Sequence, residues 1–206
     1  MANTASPYGL VPVKRVDGLP YAGAAQEFDI DPAGLATNIF NGSLVYVDAN
    51  GLVRLVTATG ADATTNAFPT GGTLTGAIGV FQGCEYVNAQ GQLINNQFYP
   101  ANTVAPAGTR IKAYVVTDPD VLFRAQLNGA IGQTAVGTNT FLAAAQSTST
   151  GSTRTGNSTS ALTSSVVTTT AAFRIVGFVS PTTDAFPDVL VKFNPGYHSY
   201  TQAVGL

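Results

Sequence analysis

The sequence predicts an all-β protein: a β-barrel or β-sandwich built from short antiparallel strands and hairpins, with an extended N-terminal arm and a long Thr/Ser-rich loop. Three observations carry that expectation. First, 22 Gly and 11 Pro punctuate the 206 residues, recurring at roughly the 8–12-residue spacing of turns between short strands. Second, the intervals hold β-branched and aromatic runs such as Ser43–Asp48, Leu52–Thr57 and Arg110–Thr117, whose side chains suit a pleated, half-buried surface. Third, only 10% of residues are charged, with two Glu and three Lys, against about 25% charged in an average domain. That is too few to coat the wet face of a helical bundle, and too few to swell a disordered chain.

Residues 1–25 form the candidate arm. Pro7, Pro12 and Pro20 interrupt an apolar set of Tyr8, Leu10, Val11, Val13, Leu19 and Tyr21. The segment wants burial but is too rich in proline for a central strand. It either straps across its own domain or reaches a partner. The β domain follows over residues 26–206, as one unit or as two subdomains divided near residue 75.

Asp31-Pro-Ala-Gly-Leu-Ala-Thr-Asn38 reads as the start of a short helix, with Asp31 as N-cap, Pro32 at the first helical position and Gly34 limiting its strength. Two hairpins come next. Tyr46-Val-Asp-Ala-Asn-Gly51 and Tyr86-Val-Asn-Ala-Gln-Gly91 share one turn chemistry. An Asx residue, Asp48 or Asn88, bonds its own backbone, and a glycine supplies the left-handed position. Along Arg110–Val116, Ile111, Ala113 and Val115 face one way and Lys112 and Tyr114 the other. Asp118–Leu127 has a mixed period and is assigned to a strand after a proline turn.

Residues 146–170 are a Ser/Thr-dominated tract with one charge, Arg154. It cannot build a core by itself. It reads as an insertion within the domain: a surface loop merging into a strand near Val166, or a loop ordered by a neighbouring subunit. Ala171–Phe178 and Asp188–Phe193 then read as returning strands.

The search for chemistry comes out negative. His198 is the only histidine and no Gly-x-Ser-x-Gly elbow is present; its Tyr and Ser neighbours suggest a surface or interface position. One His and one Cys cannot make a standard zinc site. The Asp48–Gly51 segment fails the spacing of a calcium loop, and the glycines at 71, 72 and 76 lack the lysine of a phosphate loop. Carboxylate pairs of glycosidase type have no positive support. Cys84 reads as a small buried strand residue and leaves no intrachain disulfide. No catalytic, cofactor or metal residue is assigned, and the expectation is that the chain is not an enzyme. Net charge is −2 with nine scattered cations, so nucleic-acid binding is not expected. No secretory signal or membrane span is expected either.

Three stretches together resemble a known family: Ile78–Val87 with its hairpin and Tyr99-Pro100, Lys112–Gln126, and Phe173–Val179 followed by Asp188–Asn194. In this order they are similar to capsid decoration, or cement, proteins of tailed bacteriophages, and to cyanophage-like virion structural proteins. The resemblance spans roughly residues 78–195 and rests on strand and turn patterns. It implies a protein on the outside of a phage head, assembled in the host cytoplasm, which bridges capsomers and steadies the shell. The implied partners are the major capsid protein and the chain itself, as a homo-oligomer with a trimer favoured. The candidate contacts are Tyr8, Leu10, Val11, Val13, Leu19 and Tyr21 on the arm and Asp48, Asn50, Asn88 and Gln90 at the hairpin tips. The rival readings are another minor virion component, such as a head–tail connector or tail protein, and a host-surface carbohydrate-binding adhesion module.

Overall fold

A computed structural model describes residues 4–61 and 76–202. The chain forms two antiparallel sheets of short strands, as expected for an all-β sandwich. The described strands are β1 (Val11–Arg15), β2 (Gln26–Ile30), β3 (Leu44–Val47), β4 (Val53–Leu55), β5 (Gly79–Val87), β6 (Leu93–Asn96), β7 (Ile111–Val116), β8 (Val121–Gln126), β9 (Asn139–Thr140), β10 (Phe173–Phe178) and β11 (Asp188–Phe193). The first sheet runs β1-β8-β11-β10-β9; the second runs β2-β7-β5-β3-β4, with β6 also paired to β5.

The second sheet curls until its end strands meet. Asp29 on β2 and Leu52 beside β4 form a parallel bridge. Arg54 on β4 tightens the seam, with Nη2 3.1 Å from Asp31 Oδ2 and Nε 2.9 Å from Asp48 Oδ2. The period-2 pattern along β7 sorts its side chains as the sequence predicts. Ile111, Ala113 and Val115 join Ile30, Val45, Val53, Phe81 and Cys84 in a core on the concave side. Residues Leu35, Ile39 and Tyr99 close that core, and the Tyr99 hydroxyl is satisfied by the Leu35 N–H (2.9 Å) and the Thr103 carbonyl (3.0 Å). A second core lies between the sheets. Leu44, Val80 and Val116 meet Phe123, Phe173, Ile175, Val189, Val191 and Phe193 there.

The strands on both sides of residues 62–75 belong to one sheet, and among the described strands the chain changes sheet between β1 and β2 and again between β7 and β8. The division expected near residue 75 falls outside the described residues, as do Gly71 and Gly72. Asp31 caps no helix. Its Oδ1 accepts from the Ala33 N–H at 3.0 Å and its carbonyl from Gly34, a self-contained turn. The chain then continues irregularly, because burying Leu35, Ile39 and Phe40 outweighs the weak helix propensity of a segment containing glycine.

The Ser/Thr tract lies on the surface over residues 147–149, 153–155 and 168–170 and sends other side chains inward, and no strand forms at Val166. Only a single bridge joins Val167 to Asn139. Gln146, Ser158, Ser160, Leu162 and Thr163 are buried. The Gln146 amide explains part of this. Its Oε1 accepts from Leu44 N–H at 3.0 Å, and its Nε2 donates to the carbonyls of Leu44 (3.0 Å) and Val56 (2.8 Å). One side chain thus ties the ends of β3 and β4. Gly151 fits because a Cβ there would sit 2.1 Å from the Phe40 ring.

Candidate contact surface

The arm is sewn into the fold as a strap. β1 pairs antiparallel with β8, from Val11 opposite Arg124 to Arg15 opposite Val121. It takes an edge position, where a proline is tolerated. Leu10 is 1% exposed in the inter-sheet core, so it is no contact residue: its side chain is what anchors the strap. Tyr8 is half-buried. Its hydroxyl accepts from Arg124 Nε at 2.7 Å, and its ring stands 5.0 Å from the guanidinium carbon. Burial, opposed by Arg124 and reinforced by Asp188, pushes its phenol pKa well up. Tyr21 packs against the inter-sheet core and donates to the Ala24 carbonyl at 2.8 Å. The strap turns back through Val16–Leu19, where Arg15 N–H donates to the Leu19 carbonyl. Val11, Val13, Val16 and Leu19 are left 38–60% exposed along it. Of the six arm residues named from sequence, Val11, Val13 and Leu19 are thus available for contact.

The hairpin tips match each other. Asp48 Oδ1 accepts from Asn50 and Leu52 N–H at 2.9 and 3.0 Å; Asn88 Oδ1 accepts from Gln90 and Gln92 N–H at 3.0 and 2.9 Å. Gly51 and Gly91 sit at φ +77° and +80°, the left-handed region the turn requires. The carboxylate of Asp48 is fully engaged. Burial opposes its charge, but Arg54 and the two amides outweigh burial and lower its pKa. Asp48 and Asn88 therefore build their turns, while Asn50 and Gln90 are exposed.

His198 is wholly buried, contrary to the expected surface position. Its ring meets Phe193 edge-on at 5.0 Å, and Nδ1 accepts from Tyr200 N–H at 3.2 Å. The adjoining backbone explains the burial: Ala77 N–H donates to the Tyr197 carbonyl and Ser199 N–H to the Ala77 carbonyl, so the C-terminal turn is bridged to the start of β5. Desolvation pulls the His198 pKa down to about 4, against small opposing effects of Asp118 and the Ile78 backbone. Burial pushes the Cys84 thiol up to about 12, which leaves it a poor nucleophile at neutral pH.

Among the described residues, no group of three or more His, Cys, Asp or Glu is placed to hold a metal ion. A surface dent of ≈ 220 Å³ lies between Arg15, Val16, Asp17 and Asp120, smaller than the roughly 300 Å³ at which ligand pockets begin. Among the described residues, no helix is long and apolar enough to cross a membrane. What the described surface offers is edges and faces: the strap with its exposed aliphatic side chains, the two hairpin tips, and the outer face of the first sheet. Neither sequence nor structure comparison places the chain beside a known protein, since no family model, curated protein or solved structure matches it.

Proposed function

We propose that the chain is a non-catalytic virion structural protein that decorates an icosahedral phage head, on its exterior, and stabilises it by bridging capsomers through an oligomeric, charge-poor interface. The observation that carries this reading is the strap: Val11, Val13, Val16 and Leu19 stand exposed within nine residues, in a chain that has only 10% charged residues. Aliphatic side chains grouped on one edge favour lasting protein contact, because their burial desolvates few charges. The partners on this reading are the major capsid protein and a second and third copy of the chain. A weak footprint repeated in one oligomer gains strength by avidity, and binding the mature shell better than its precursor stabilises it by mass action.

Light scattering on the purified chain is expected to give an oligomer, with three copies favoured. Co-sedimentation with phage heads stripped of their outer proteins is expected to recover the chain with the shell. A monomer that stays in the supernatant at every concentration rejects the reading.

A further inference from the structure

The outer face of the first sheet carries cations that its carboxylates neutralise only in part. Phe123, Val191, Phe173 and Ile175 point into the inter-sheet core, so their strand neighbours Leu122, Arg124, Lys192 and Arg174 point to the opposite face. Pairing aligns these side chains. Lys14 stands opposite Leu122. Lys192 follows Val191, the partner of Phe123, and so comes beside Leu122. Lys192 in turn stands directly opposite Arg174. The result is a transverse row, Lys14–Leu122–Lys192–Arg174, over β1, β8, β11 and β10, with Arg124 two residues along β8.

Like charges directly opposite each other weaken a sheet, and Arg174–Lys192 is such a pair. Two carboxylates pair with two of these four cations: Asp120 Oδ1 is 3.8 Å from Lys192 Nζ and Asp188 Oδ2 is 3.6 Å from Arg124 Nε. Arg174 Nε donates instead to Asn139 Oδ1 at 3.2 Å. Among the described residues, neither Lys14 nor Arg174 has a carboxylate in ion-pair range. The second sheet contrasts with this. There Arg54 is held by two aspartates, Arg110 by Asp29, and Lys112 by Glu27 and Glu85.

We propose that the outer face of the first sheet docks on an acidic patch of a partner protein, with Arg174, Lys192 and Lys14 supplying the charge complementarity. On the decoration reading, from which the partner's identity follows, that patch belongs to the capsid shell. The row is short: three strand spacings of about 4.8 Å put Lys14 and Arg174 roughly 14 Å apart, the scale of a compact protein patch. Val176, exposed beside Arg174 on β10, adds an apolar contact. Four strands of about 17–20 Å, β1, β8, β11 and β10, present roughly 250–400 Å², a third to a half of the ~800 Å² that each partner contributes to a standard interface. One copy therefore binds weakly, and several copies acting together bind firmly.

The test uses the full chain and R174E, which replaces the like-charged pair by an opposite-charged one. R174E is expected to keep the wild-type circular dichroism and thermal midpoint. The double variant K14Q/K192Q serves if R174E fails to fold. Immobilised poly-L-glutamate is the probe, a DNA duplex the competitor surface. Wild type is expected to bind polyglutamate in low salt, to be released in high salt, and to lose about tenfold in affinity in either variant, the equivalent of one close charge pair. Failure of wild type to bind polyglutamate, equal binding by the folded variants, or tighter binding to the duplex overturns the proposal. Co-sedimentation with stripped heads separates the two readings. Heads that recover wild type and variants alike reject this face and leave decoration standing. Heads that recover neither, with the polyglutamate loss intact, support the face and reject decoration.

Discussion

Two segments look equally irregular in the sequence, the proline-punctuated strap before β2 and the Ser/Thr tract between β9 and β10, yet the fold holds them by opposite means. The strap is held by one buried leucine and by strand pairing, with Leu10 in the core and β1 zipped to β8. Val11, Val13, Val16 and Leu19 stay outside. The tract has few apolar groups to bury and is held by amides and hydroxyls: Gln146 bonds Leu44 and Val56, Ser158 Oγ accepts from Ser160 N–H at 3.1 Å, and Thr140 Oγ1 donates to the Thr163 carbonyl at 2.8 Å. The two cross at Gly9, whose N–H donates to the Ser160 carbonyl. At φ +78°, a Cβ on Gly9 would lie 2.7 Å from the Gly42 carbonyl oxygen and 2.8 Å from Ser158 Cβ. A polar tract can therefore place side chains in the interior as an apolar one does, provided their donors and acceptors are matched.

Removing the strap is the strongest way to break this comparison. Deleting residues 1–21 takes away Leu10, the β1 edge and the cover over Arg124. Loss of a buried leucine alone costs about 2–5 kcal/mol, out of the roughly 5–15 kcal/mol that a domain has in total. The truncated chain is expected to lose its cooperative thermal transition. Retention of the full-length midpoint would make the segment a free arm.

The tract has its own test. Gln146→Leu keeps the volume but leaves Leu44 N–H and the Val56 carbonyl without this partner inside the core. Each buried unsatisfied group costs about 1–3 kcal/mol, so a loss of about 3 kcal/mol in chemical denaturation is expected. A variant as stable as wild type would return the tract to the surface.

What could be read in advance follows the range of the interactions. Strands and turns set by local pattern were legible: the alternation along β7, the twin Asx-Gly turns, and β8 after Pro119. Proline also marked β1 as an edge. Long-range partners were not legible, because nothing in Val11–Arg15 names Val121–Gln126 as its partner. The burial of the tract was hidden for a related reason. Composition records how polar a segment is, while burial depends on whether distant backbone groups meet it, as Leu44 and Val56 meet Gln146 across 102 and 90 residues. His198 was misplaced because its neighbours Ser199 and Tyr200 are polar, whereas Ala77 and Phe193 decide its position. Of the contact residues, the turn-building roles of Asp48 and Asn88 were visible, and the anchoring role of Leu10 was not.

Acid sharpens the comparison by locating the weakness in neither segment. The tract carries one charge, Arg154, and no group that titrates near neutrality. His198 lies apart from both. Its pKa falls from 6.5 to about 4 on folding, so the unfolded chain takes up the proton first. Its contribution is complete above pH 6.5 and is lost as pH falls from 6.5 towards 4, a difference of roughly 3 kcal/mol. Urea titrations at pH 7 and pH 4.5 are expected to show wild type weakening and His198→Gln nearly flat. An equal loss in both would assign the acid sensitivity to carboxylates.

The smallest effect belongs to the outer anchor of the strap. Tyr8→Phe keeps the ring over the Arg124 guanidinium and removes only the hydroxyl that accepts from Arg124 Nε. This contact is partly exposed, and Arg124 still has Asp188 nearby, so the expected cost is about 1 kcal/mol, the usual size of a single hydrogen bond. A double-mutant cycle with Arg124→Gln isolates it: a coupling of about 0.5–1 kcal/mol is expected. Set beside the core-deep loss at Gln146, that value ranks the two fastenings. The strap depends on Leu10 and strand pairing with Tyr8 as a clasp, and the tract depends on its buried amide. A coupling as large as the Gln146 loss would reverse the ranking and make the strap, too, a segment held by polar contacts.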